Sequence, residues 1–235
     1  MFLFLKLILA HLIADFILQF EELYQLKVRS FLGHLLHALI HGLVSLAILY
    51  PYWNEPVIWA FVAGAVLIHL AQDLIKYSFS KKTPANTFVY FTADQFCHVL
   101  VLSTIFLFPI IREVRGFPGS ALLNILYEQN HWTVLVIFFI LLTFGGSYIL
   151  NAFAKSYLKH CPSLFMITST EMLHAILERT LVAWIVLSLA PLPALLLIPG
   201  LGFFRLCFKP LRNFRAFLLS MVYALVLSLL FQKVL

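Results

Sequence analysis

The stretch AHLIADFILQ, residues 10–19, sets His11, Asp15 and Gln19 four positions apart inside an apolar run. Residues four apart share one face of a helix. The same step recurs in HLAQD (His69, Asp73), in HALIH (His37, His41) and in DQFCH (Asp94, His98). Imidazole and carboxylate together form the ligand set of Zn, Mn, Fe or Ni. Ionisable groups inside an apolar span are costly and usually mark a site. These pairs are therefore the first candidates for chemistry in the chain.

Their positions suggest a repeat. His11 to His69 and Asp15 to Asp73 are both 58 positions apart, while His37 to Asp94 and His41 to His98 are both 57. Two copies of one hairpin entering a membrane in the same direction produce this pattern. Depth along the helices then predicts two stacked layers. Asp15, His37, Asp73 and Asp94 form one, and His11, His41, His69 and His98 the other, about 6 Å further in at 1.5 Å per residue. All eight are candidate metal ligands, with two-fold related donors on facing helices. A divalent transition metal is expected, Zn first, with Mn, Fe or Ni as alternatives. The competing expectation is a dry network in which each histidine donates to an aspartate and only locks the helices. His34 precedes His37 by one turn and joins the same face or stays interfacial. Gln19 and Gln95 suit an orienting role. Lys76 is expected to extend its ammonium to the headgroups.

The elements that must position these residues are membrane helices. The chain has 235 residues, 63% hydrophobic and only 11% charged, and its mean hydropathy is +0.98. Spans need about twenty mostly apolar residues. They are expected near 2–20, 31–50, 56–79, 87–111, 132–153, 165–190, 192–206 and 214–231. The seventh is bracketed by Pro191, Pro193 and Pro199, so it is either a span or a re-entrant piece. The fold expected is thus an all-α polytopic bundle of about eight spans, seven if that piece turns back. Residues 1–112 form a four-helix core of two hairpins (1–50 and 56–111), 113–131 an extracytoplasmic loop, and 132–235 the C-terminal helices. Lys27, Arg29, Lys76, Lys81, Lys82, Lys155, Lys159, Arg205, Lys209, Arg212 and Arg215 fall in alternate loops. Positive charge marks the cytoplasmic side, which puts both termini outside the cytoplasm of a bacterial-type inner membrane. The first run lacks the basic start and small-residue cleavage site of a signal peptide. Cys97, Cys161 and Cys207 have no metal-finger spacing and read as packing residues.

A second constellation lies in TEMLHAILER, where Glu171, His174 and Glu178 share one helix face and Arg179 follows. Arg179 and Glu178 are either an internal ion pair or a substrate-binding pair, with the guanidinium on an anionic group, His174 beside it and Glu178 as a base. No HExxH, Walker A, GxGxxG or GxSxG motif is present. No basic run with interleaved aromatics suggests nucleic acid. Membrane lipids are the expected surroundings, and a homo-oligomer is compatible with the sequence.

The motifs AHLIADFILQ, HLLHALIH, LIHLAQDLIK and TADQFCHVL resemble the polytopic prokaryotic domain-of-unknown-function family 3307, over residues 1 to about 110. LER around Glu178 and KPLRNF around Lys209 are similar to its longer members. The resemblance implies a bacterial-type integral membrane protein and no settled activity. The leading expectation from the residues is a metal-dependent hydrolase of a lipid-like or anionic amphipathic substrate. A metal lowers the pKa of its bound water, and Asp94 or Glu178 would act as base. The alternatives are a metal-ion or proton-coupled transporter and a non-catalytic membrane scaffold. The HxxxD pairs are similar to those of cation diffusion facilitators, whose cytoplasmic metal domain has no counterpart here.

Overall fold

A computed structural model describes residues 1–82, 87–117, 121–157, 169–188 and 214–234, with a few isolated positions besides. Among the described residues every regular element is helical, in two compact units, Met1–Ile137 and Phe138–Leu235.

The first helix, α1 (Phe2–Leu12), runs into a π-helical turn at Ile13–Ile17. There Leu18 N–H reaches back five residues to the Ile13 carbonyl at 2.9 Å. The chain then breaks and turns by 87° into α2 (Glu21–Arg29). This second helix occupies a stretch expected to be a cytoplasmic loop. Its charges suit a helix, with Glu21 and Glu22 in the first turn and Lys27 and Arg29 in the last, matching the helix dipole at both ends. Ser30 is extended, and its Oγ accepts from Gly33 N–H at 3.2 Å, capping α3 (Phe31–Ile48). A Cβ on Gly33 would lie 2.3 Å from the Leu26 carbonyl carbon and the Lys27 nitrogen. Glycine is what lets α2 rest directly on the first turn of α3.

The next helix, α4 (Pro56–Lys82), is continuous and outlasts its expected end at Phe79. Then α5 (Thr87–Ser103) gives way to two 3-10 turns, Thr104–Leu107 and Pro109–Arg112. Pro109 starts the second turn, since it has no N–H to continue a helix. A further helix, α6 (Ala121–Glu128), lies inside the expected loop 113–131. After it, α7 (Asn130–Ile140), a π turn at Leu141–Gly145 and α8 (Gly146–Tyr157) form one long rod.

In the first unit α3 packs against α1, α2 and α4, and α5 packs against α1 and α4. One end is an apolar core built from Leu3, Leu7, Leu49, Tyr52, Ile58 and Ile105. Tyr52 anchors the chain at that end. Its hydroxyl donates to the Glu113 carbonyl at 2.8 Å and accepts from Arg115 N–H at 2.9 Å. The polar cluster lies further along the same helices.

In the second unit α9 (Ser169–Ser188) packs on α10 (Phe214–Phe231) and on the π turn of the rod. Four helical stretches among the described residues, Phe31–Ile48, Pro56–Lys81, Thr87–Leu107 and Asn130–Tyr157, are long and apolar enough to cross a membrane. The bent pair Phe2–Ile17 and Glu21–Arg29 makes a fifth if it counts as one. The expected seventh span, 192–206, falls outside the described residues except at isolated positions, as do Cys161 and Cys207. Cys97 is exposed on α5, so it is not the packing residue it was expected to be.

Candidate metal centre

Asp15 lies in the π turn. From there it reaches both His11 on its own helix and the histidines of α3. Its Oδ1 receives His37 Nε2 at 3.1 Å and His41 Nε2 at 3.0 Å. Its Oδ2 accepts from Gln95 Nε2 at 2.8 Å and stands 3.5 Å from His11 Nε2. The amide oxygen of Gln95 faces His11 Nε2 at 3.4 Å.

The histidines one turn further in close into a ring. Centroids are 5.0 Å apart for His11–His41, 3.8 Å for His41–His69, 4.3 Å for His69–His98 and 4.9 Å for His11–His98. All four are buried. They line a cavity of about 30 Å³ together with Ser45 and Gln72, which is space for a water or an ion.

The other two carboxylates are held differently. Asp73 Oδ2 lies 2.7 Å from Lys27 Nζ, with His34 Nδ1, His37 Nε2 and His69 Nε2 at 3.8 to 3.9 Å. Asp94 takes Lys76 Nζ on Oδ2 at 2.6 Å and His98 Nε2 on Oδ1 at 3.2 Å. Lys76 therefore turns inward to an aspartate instead of extending to the headgroups. Lys27 is buried and Lys76 partly exposed; since each meets an aspartate, neither is the loop cation that the topology argument counted.

These pairings decide the electrostatics. Asp73 and Asp94 each have an ammonium partner, and Asp15 has only imidazoles and an amide. With neutral histidines the cluster holds one uncompensated negative charge, at Asp15. Burying such a charge costs several kcal/mol or more. One imidazolium or one bound cation would neutralise it.

The donor set fits a cation. Single donor atoms of Asp15, His37, His41 and His69 all lie within 4.8 Å of one another, and a second group comprises His69, Asp73 and His98. Ligands at 2.0–2.2 Å from a tetrahedral ion are about 3.3 Å apart, close to the two Asp15–imidazole distances. His69 belongs to both groups, and its Nε2 is buried without a hydrogen-bond partner. An imidazole nitrogen left without a partner in this cluster could serve as a ligand.

The remaining expected residues lie in the second unit. Arg179 is fully buried and donates to the Thr143 carbonyl and Ser147 Oγ, both at 2.7 Å, and to Ser220 Oγ at 3.5 Å. His174 is exposed and Glu178 half-buried on the same helix. Sequence reasoning passed over Lys27 as a site residue. Its signal was weak: a single lysine in a short charged stretch, seven residues before the HLLHALIH run.

Bilayer-length apolar helices around a buried Asp/His cluster with two internal lysines define the class: a helical bundle with a polar core. Residues 3–115 match the model of the family described as "Protein of unknown function (DUF3307)", the family whose motifs they resemble. That range takes in α1 to α5 and with them every histidine, aspartate and lysine of the cluster. No curated protein and no solved structure matches the chain.

Proposed function

We propose that this is an integral membrane protein whose N-terminal unit carries a divalent transition-metal ion, Zn first, on Asp15, His37, His41 and His69. The observation that supports it most is the placement of Asp15. Of the three aspartates in the cluster it alone has no lysine among the described residues, it gathers two imidazoles on one oxygen, and it sits beside the break in its helix. Interrupted helices at buried ion ligands are a recurrent device of membrane carriers, and single π turns are frequent at functional positions. His11, His98, Asp73 and Asp94 surround the site, and Gln95 orients Asp15 and His11. The full chain crosses an inner membrane about eight times with both termini extracytoplasmic, and its first four spans are two copies of one hairpin.

A carrier fits better than a hydrolase of an amphipathic substrate. The cavity beside the histidines, about 30 Å³, accepts a water or an ion and no acyl chain. Asp94, a base in the hydrolase reading, is occupied by Lys76 and His98. Arg179, the residue expected to hold an anionic group, already donates to three oxygens of its own unit.

The test is elemental analysis of purified protein, followed by Zn, Mn and Ni uptake into proteoliposomes. One metal per chain and saturable uptake, both lost in Asp15→Asn, are expected. A protein without stoichiometric metal that moves none of the three ions refutes the reading. Stoichiometric metal with no flux would make the ion a resident cofactor and bring hydrolysis back.

A further inference from the structure

A second cavity, about 280 Å³, lies in the first unit between α1, α6 and α7, among residues the metal centre does not use. Its walls include Leu9, Leu123, Leu126, Val136 and the ring of Trp132, and two polar groups besides Thr133 interrupt them. One is Lys6, only 2% exposed. Its ammonium donates to Thr133 Oγ1 and stands 4.8 and 4.4 Å from the ring centres of Phe2 and Tyr127. Among the described residues no carboxylate lies within ion-pair distance of it. The other is the Tyr127 hydroxyl, buried and without a hydrogen-bond partner.

An ammonium deep in an apolar unit needs a counter-charge, and the two lysines of the metal centre each have one. A ring face attracts a cation but does not neutralise it. Lys6 and Tyr127 thus present one unpaired positive charge and one free donor to the same cavity. The outer lips, Leu123, Leu126 and Val136, are at least 40% exposed, on a surface that faces acyl chains when the helices lie in a bilayer. The volume is at the low end of ligand pockets, enough for part of one chain and not two.

We propose that this cavity binds a single-chain fatty carboxylate, with its head on Lys6 and Tyr127 and its chain leaving between Leu123 and Val136. Entry is lateral from the bilayer, and the carboxylate supplies the missing counter-charge.

Trp132 provides the readout. Purified protein in an uncharged maltoside detergent is titrated with dibrominated palmitate, whose bromines quench nearby tryptophan, and with the corresponding dibrominated hexadecanol. Palmitate is expected to quench at an at least tenfold lower concentration. Lys6→Met should abolish that preference, and Trp132→Phe should abolish the quenching. Equal concentrations for acid and alcohol on the unmutated protein overturn the proposal, and that comparison decides even where Lys6→Met does not fold. Retained preference in a folded Lys6→Met overturns it as well. Quenching by brominated phosphatidylglycerol and not by palmitate would make the ligand a two-chain lipid and reject the single-chain occupant.

Discussion

Replacing Lys27 by methionine keeps most of the stem and removes the charge beside Asp73. The ammonium and the carboxylate oxygen are 2.7 Å apart, and both side chains are at least nine-tenths buried. At an effective dielectric constant of about 20, Coulomb's law gives about 6 kcal/mol of attraction. Desolvation of both ions offsets part of it, and breaking a buried pair from one side typically costs about 3–5 kcal/mol. Urea unfolding in detergent micelles with a chelator present should show that loss for Lys27→Met, and a similar one for Asp73→Asn. The double variant removes both charges and should recover most of the stability. The metal centre adds a second arm. In Lys27→Met two carboxylates lack an ammonium partner, Asp15 and Asp73. Zn at a hundred times its Kd should restore about 2.7 kcal/mol, and in Asp15→Asn it should restore far less. A single-variant loss below about 1 kcal/mol, or additive losses in the double variant, would refute the charge-pairing argument. A Zn effect unchanged by Asp15→Asn would refute the assignment of the cation to Asp15.

Gln95→Leu leaves Asp15 Oδ2 without its 2.8 Å donor; metal affinity, measured by competition with a chelating dye, should fall about 10–100-fold, as for other residues that orient a ligand. Gly33→Ala drives a Cβ into the Leu26–Lys27 backbone; it should cost at least about 1–3 kcal/mol and weaken metal binding, because α2 carries Lys27, whereas Gly64→Ala, with open space around it, should do neither. Tyr52→Phe strands the Glu113 carbonyl and the Arg115 N–H, at about 1–3 kcal/mol near neutral pH. Burial pushes the Tyr52 phenol above its ordinary value, so the folded state favours the protonated form. That contribution is whole below pH about 10 and is lost as pH rises through the higher folded value; the stability gap between wild type and Tyr52→Phe should close over that range.

The cluster was legible because its residues are out of place. A histidine or aspartate in an apolar run stands out, and four-residue spacing fixes which of them share a face. The ring of His11, His41, His69 and His98 follows from that geometry, as do α3, α4 and α5 as bilayer-length helices. What was not legible depends on the backbone path. Nothing in IADFI marks the π turn that carries Asp15, since no proline or glycine is present. Lys27 and Lys76 look like interfacial cations because lysine at a span's end usually is one. Only the 87° turn of α2 and the inward face of α4 bring them to Asp73 and Asp94. The two lysines turn three apparently equivalent aspartates into one exception and two pairs.

The π turn in the first helix has a further consequence. His11–Asp15 and His69–Asp73 share one spacing, yet the first pair sits in a widened, interrupted helix and the second in a continuous one. A core built from two identical halves would offer a cation two wells of equal depth and no reason to prefer either. The π turn at Asp15 and the ammonium of Lys27 at Asp73 make the two pairs unequal. On the proposed reading a cation would rest on the α1 side, because Lys27 already fills the counterpart.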